Sequence, residues 1–276
     1  MSGMLFLVPT PIGNLSDISD RCRQTLSDAD FIAAEDTRVS LRLLNHLGIK
    51  KPLVSYYEHN KTVSGQKILE RILAGETCAL VSDAGCPAIS DPGEDLVRLC
   101  AQNGVTVSAL PGPCAAITAL SMSALPTGRF TFEGFLSTNK KTRRAHLDSL
   151  RSETRTMIFY EAPHKLTDTL KNLSEAFGAE RKISLCRELT KLHEEVLRMT
   201  IGEAMEYYNA NTPRGEYVLV VEGADELSQE EVSTEDAVQM VATLTAQGIS
   251  KKDAVKQVSA SLGISKNELY QATLTL

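Results

Sequence analysis

The first part of the chain alternates short unbroken apolar runs with longer amphipathic stretches. Residues 5–8, 31–34, 53–56, 78–82 and 105–109 are rich in Val, Ile, Leu and small side chains, the pattern of strands buried on both faces. Between them, Ile18, Cys22 and Leu26 fall on one helical face, as do Ile68, Leu69, Ile72 and Leu73. Gly48, Gly75 and Gly104 stand where such helices should stop. This alternation predicts βαβ crossovers and a largely parallel sheet. After Pro111-Gly112-Pro113 and a small-residue helix at 115–122, a break at 125–128 opens a second series. Strands are expected at 130–134, 156–160, 182–186 and 217–221, with a helix at 165–177. Two or three helices follow over 235–247, 251–262 and 266–274, joined in part by a tight turn at 262–265. The expected organisation is two α/β domains, residues 1–117 and 118–226, and a small helical extension over 227–276.

Composition narrows this picture. At 276 residues, 42% hydrophobic and 23% charged, the chain is ordinary globular material rather than a disordered one. No apolar run reaches the length of a membrane span or a signal core. Six cysteines without a CxxC pair read as reduced thiols of a cytoplasmic protein, and no cluster has metal-ligand spacing, so no metal is expected. A net charge of −6 rules out a general electropositive field, so any RNA contact must come from a local patch. The helical tail has helix-turn-helix spacing but more carboxylates than cations. A cap that packs its apolar stripe, Ala254, Val258 and Leu262, on the body is therefore the favoured reading.

Three loops at strand ends have unusual chemistry. In VPTPIGN (8–14) two prolines fix the backbone before Gly13 turns it. SDAGCPAISDPG (82–93) offers Asp83 as an acceptor and places Ala84 and Gly85 where a ligand can approach the main chain. LPGPCAA (110–116) supplies small residues that suit either a floor for a planar group or close packing of a helix on the sheet. Neither GxGxxG nor a P-loop is present, which argues against a dinucleotide or nucleoside triphosphate. Polar residues gather on the same rim: Glu35, Asp36, Arg38, His59 and Asn60 in the first half, and YEAPH (160–164), RELTK (187–191) and PRGE (213–216) in the second. The densest basic segment runs from Thr138 to His146 and is expected to be a phosphate-contacting loop, through Lys140, Lys141, Arg143 and Arg144.

Taken in order and spacing, VPTPIGNLSDIS, AAEDTR, SYYEHN, VSDAGCPAISDPG, ALPGPCAAITAL, GFLS, IFYEAPHKL, RELTK and PRGEYVLVVEG resemble the small-subunit ribosomal RNA branch of the tetrapyrrole methylase superfamily, the class III S-adenosylmethionine-dependent methyltransferases. The chain lacks the GxGPG and GGDP loops of the small-molecule members, as that branch does. The resemblance implies S-adenosylmethionine in a cleft between two α/β domains, a homodimer, and 2'-O-methylation of a cytidine in the decoding region of 16S rRNA. By position it implies a cofactor pocket of Pro11, Ile12, Asp83, Ala84, Gly85, Ala88, Cys114 and Ala115, completed by Glu161, Ala162, Arg214, Gly215 and Glu216. Candidates for a proton acceptor are Asp36, Glu35, His59, Glu188 and Lys191, with the two acidic residues of the first half favoured and Arg38, Arg187 and Lys191 orienting phosphates. The low net charge favours an assembled subunit over naked RNA as substrate. Two alternatives stay open: a methylase of a small tetrapyrrole-like or diphthamide-type substrate, and a non-catalytic assembly factor.

Overall fold

The computed structural model describes residues 3–225, 234–246, 248–262 and 266–273. Two compact units are present, Met1–Gly223 and Ala224–Leu276. In the larger unit, β1 (Met4–Leu7), β2 (Phe31–Ala34), β3 (Leu53–Ser55), β4 (Cys78–Val81) and β5 (Thr106–Ala109) form one parallel sheet in the order β3-β2-β4-β1-β5. The connecting helices are α1 (Asp20–Asp28), α2 (Thr37–Leu47), α3 (Lys61–Leu73) and α4 (Gly93–Gln102). Because side chains alternate along each strand, Leu5, Phe31, Cys78 and Leu80 pack with Ile68 and Ile72 of α3 and Leu96 of α4 on one face. Ile32, Ala34, Ala79 and Val81 pack with Cys22 and Leu26 of α1 and Leu44 of α2 on the other. β2 and β4 are buried at every position, which is why they read as unbroken apolar runs.

The second sheet contains β6 (Phe130–Phe135), β7 (Thr156–Glu161), β8 (Lys182–Arg187), β9 (Glu195–Thr200) and β10 (Tyr217–Val221), ordered β6-β7-β10-β8-β9. Only β6 and β7 are parallel; the other neighbours are antiparallel. One face packs on α6 (Lys140–Ser149), α7 (Leu166–Phe177) and α8 (Ile201–Ala210) through Leu147, Leu170, Leu173 and Ile201. The opposite face receives α5 (Ala115–Met122), whose Ala116, Ala119 and Leu120 pack on Ile158, Val218 and Val220. Helix α5 leaves the first sheet and packs on the second, so the loop preceding it is shared between the two. β9 and α8 are absent from the sequence expectations, and the basic segment expected as a loop is helical. Its start is fixed by Asn139, whose Oδ1 accepts from the amides of Lys141 and Thr142 at 3.0 and 3.1 Å, and its far end is anchored by buried Leu147.

The smaller unit holds α9 (Thr234–Ala246), α10 (Lys251–Leu262) and α11 (Lys266–Ala272). Ala254 and Val258 pack with Ala237, Val241 and Leu269 in a core of this unit's own. Ala254 and Val258 of the expected stripe are thus covered within this unit, since three short helices can bury these side chains among themselves. The turn at 263–265 and the start of the tail at 227 lie outside the described residues.

Candidate active site

In an open parallel sheet the strand carboxyl ends point their loops to one side, and ligand sites form there. The loops after β1, β2, β4 and β5 meet the loops after β7 and β8 around a cavity of about 500 Å³. The β4 loop is tied to the β1 loop by paired backbone bonds between Thr10 and Gly85, each 3.0 Å. Among the described residues, four of the five non-glycine residues with positive φ sit in two loops of this site: Ala88 and Ser90 after β4, Glu188 and Thr190 after β8. Strain of this kind persists where the surroundings enforce it, and it gathers at sites that must hold a shape.

Of the residues anticipated for the cofactor, Ile12, Asp83, Ala84, Gly85, Cys114, Ala115, Glu161, Ala162 and Glu216 line this cavity. Ala88 does not; its amide donates instead to Asp91 Oδ1 at 2.9 Å. Pro11 lines a neighbouring groove. Arg214 faces a separate polar recess with Arg187 and Glu195, and Gly215 lies against Glu188, whose Cγ would be 2.5 Å from an added Cβ. Lining residues that the sequence reading did not single out include Asp91, Phe135, Tyr160 and Leu189. Asp91 lies two residues before α4, and its Oδ1 accepts from the Gly93 amide at 2.7 Å. Its Oδ2 is buried with no hydrogen-bond partner. Tyr160 is placed by tertiary packing: its hydroxyl accepts from the Ala116 amide at 3.2 Å, and Phe132 and Phe135 meet its ring edge-on.

The candidate proton acceptors separate cleanly by environment. Glu35 lines the cavity, and burial, reinforced by the nearby Asp83 and Asp91 carboxylates, raises its pKa despite a bond from the Asp83 amide. Asp36 caps α2 and is held by Arg38, which brings its pKa down to about 2. Lys191 also lines the cavity; burial alone would lower its pKa, but Glu216 and Glu188, each 2.9 Å from Nζ, outweigh that and raise it. Glu188 in turn is held below its ordinary range by Lys191. His59 is exposed beside Tyr57, apart from the cavity lining. Arg38 projects from the start of α2 with 86% of its side chain exposed, while Arg187 pairs with Glu195 at 3.1 Å. Lys140, Lys141 and Arg144 are exposed on α6, and Arg143 bonds the Ser137 carbonyl at 3.1 Å.

The cavity therefore carries five carboxylates, Glu35, Asp83, Asp91, Glu161 and Glu216, against one ammonium, Lys191. Such a site disfavours phosphate and favours a cationic ligand. Residues 4–205 match the tetrapyrrole (corrin/porphyrin) methylases as a family. The chain belongs to the tetrapyrrole methylase family. Within that family its full-length relatives carry the name ribosomal RNA small subunit methyltransferase I, and the chain belongs to that group. The Bacillus subtilis protein is 45% identical over 98% of this chain and 94% of its own length. That of Synechocystis is 44% identical over 99% and 98% respectively. A diphthine synthase structure superposes with TM-score 0.62 at 14% identity, covering 80% of this chain and 90% of that one. A uroporphyrin-III C-methyltransferase from Thermus thermophilus does so with TM-score 0.57 at 18% identity, covering 80% and 94%. At these identities the tetrapyrrole methylase structures establish the shared fold. Residues 231–276 match the RsmI C-terminal HTH domain, which corrects the preference for a plain helical cap.

Proposed function

We propose that this protein transfers a methyl group from S-adenosylmethionine to the 2'-hydroxyl of a cytidine in the decoding region of 16S rRNA, acting on the assembled small subunit. The observation that carries the reading is the acidic cavity of about 500 Å³ at the strand carboxyl ends, within the size range of small-ligand sites. Its residues fit the cofactor: small side chains at Ala84, Gly85, Ala115 and Ala162 leave room for a planar base, and the orphaned Asp91 Oδ2 can accept from an amine or hydroxyl. Bound there, S-adenosylmethionine would supply an electrophilic methyl group on a sulfonium, a cation matched to the surplus carboxylates. Glu35 takes the hydroxyl proton, because it is the cavity carboxylate whose surroundings raise its basicity, whereas Asp36 is neutralised by Arg38. Lys191, kept protonated by Glu188 and Glu216, ties the β8 loop to the start of β10 and closes one side of the site. Arg38 and the exposed cations of α6 contact phosphates, and the protein acts in the cytoplasm as a homodimer, as the family likeness implies.

The test is transfer of labelled methyl from S-adenosylmethionine to small subunits isolated from cells lacking this protein, with mapping of the labelled nucleotide. Label on a single cytidine ribose is the expected result. Label on a small-molecule extract with none on subunits would move the substrate to the tetrapyrrole-like class, and no label with intact cofactor binding would leave an assembly factor.

The cavity thiols give an independent probe of the cofactor site. The neighbouring Cys86 thiol and, against burial, the amides of Ile117 and Ala116 opening α5 hold the Cys114 thiol below its ordinary range. Cys114 should therefore be alkylated at neutral pH ahead of the buried Cys22, Cys78, Cys100 and Cys186. S-adenosylmethionine should slow that labelling; undiminished alkylation at saturating cofactor would place the cofactor elsewhere.

A further inference from the structure

Beside the main cavity lies a groove of about 270 Å³ between the β1 loop and α2. Ser82 and Asp83 line both, so the two spaces share one wall. The groove is mainly apolar, with Pro11 and Leu15 on one side and Val39 and Leu43 on the other. Leu15 and Val39 remain 46% and 38% exposed, so large apolar side chains are left without cover. On the α2 wall stands Ser40, only 4% exposed, whose Oγ is buried and has no hydrogen-bond partner. A buried hydroxyl of this kind is costly unless something completes it. Arg42 and His46 line the same groove, and with Arg38 they recur every four residues along α2. Apolar walls, one unsatisfied hydroxyl and the arginines of α2 at the rim describe the needs of a single nucleotide: flat faces, a polar edge and a phosphate.

We infer that this groove holds the base of the acceptor nucleotide, turned out of its RNA, with Ser40 on the base edge and Arg42 on the adjoining phosphate. The inference rests on the proposed methylation of an rRNA ribose and adds where the nucleotide sits. A base in the groove brings its ribose to the rim formed by Ser82 and Asp83, which line the main cavity together with Glu35. Turning a base out of a helix costs stacking, and an apolar slot offsets part of that loss. The groove is smaller than the roughly 300–1,000 Å³ typical of drug-sized sites, which suits one base and excludes a macrocycle.

The test uses the full chain saturated with S-adenosylhomocysteine and titrated with cytidine 5'-monophosphate, followed by NMR, beside labelled methyl transfer to small subunits. In the wild type the monophosphate should shift resonances of the β1 loop and α2. Leu43→Trp, which fills the groove, should abolish those shifts and methyl transfer while S-adenosylhomocysteine affinity is kept. Ser40→Ala should raise KM for subunits by roughly 3- to 10-fold without lowering the thermal midpoint, because the hydroxyl has no partner to lose in the free protein. The idea is overturned if Leu43→Trp methylates subunits at the wild-type rate, if Ser40→Ala leaves KM unchanged, or if Leu43→Trp also loses S-adenosylhomocysteine binding. A changed sedimentation coefficient in Leu43→Trp, with no nucleotide shifts in the wild type, would make the groove a contact between copies of this chain and likewise overturn it. If wild-type protein labels no subunits, the proposed reaction fails and this inference falls with it; if it does and the variants do too, only the inference falls.

Discussion

Replacing Glu35 by glutamine is expected to slow single-turnover methyl transfer to small subunits by roughly 10²- to 10⁴-fold while leaving S-adenosylmethionine binding intact. Glutamine keeps the shape and an acceptor for the Asp83 amide, so the change removes little besides the ability to hold a proton. The pH profile gives a second, independent reading. Only the carboxylate form can accept the hydroxyl proton, so the wild-type rate should rise with pH through the Glu35 titration and then level off. Burial and the flanking Asp83 and Asp91 charges place that limb above the ordinary carboxyl value of 4.5. The variant should lack the limb. Stability should move the opposite way from activity. A carboxyl whose pKa is raised by folding contributes stability only at low pH, and that contribution is lost as pH rises through the folded-state value. At neutral pH the ionised Glu35 therefore opposes folding, and the neutral amide should raise the thermal midpoint. The gain should vanish as pH falls below 4.5, where both states of the wild type carry the proton. A variant with the wild-type rate and pH profile would remove Glu35 from the chemistry.

The first sheet was legible because parallel strands covered on both faces must be apolar at consecutive positions, as Cys78–Val81 is. The strand Glu195–Thr200 was not. It lies on the edge of its sheet, is only partly buried, and carries Glu195 and Arg198, so nothing in its polarity marks it out. The helix that follows it did leave a signal: Thr200 and Glu203 form a reciprocal cap, the Thr-x-x-Glu spacing that marks a helix start. The basic segment was misjudged for a related reason, since Asn139 before it is a helix cap and the charges are the helix's outer face. At the site, loops built on Pro, Gly and Asp could be read directly, because those residues limit backbone geometry wherever they occur. Two partners from the second sheet could not. Phe135 and Leu189 reach the cavity through strand order and the packing of α5, which no local pattern encodes. Nor could spacing choose between Glu35 and Asp36, adjacent in sequence and opposite in basicity; the choice depends on Arg38 folding back onto one of them.

Gly85→Val should abolish S-adenosylmethionine binding, measured by calorimetry, and methyl transfer with it. Gly85 sits at φ +84°, a left-handed backbone that costs an L-residue roughly 1–2 kcal/mol, and more for a β-branched one. It also ties the β4 loop to the β1 loop, bonded in both directions to Thr10. An added Cβ would stand 3.2 Å from Ile12 Cγ2 and 3.4 Å from the Pro113 carbonyl, so the two branches of valine have to enter the cavity or force the β1 and β5 loops apart. Gly104→Val separates the causes. Gly104 has a similar φ of +70°, but nothing lies within 4 Å of its added Cβ, and it belongs to the turn before β5, away from the cavity lining. Both variants carry the backbone strain, so both should lower the thermal midpoint; only Gly85→Val should lose the cofactor. If Gly104→Val loses binding equally, the loss follows from general destabilisation, and if Gly85→Val binds normally, the cofactor does not occupy the space between the β1, β4 and β5 loops.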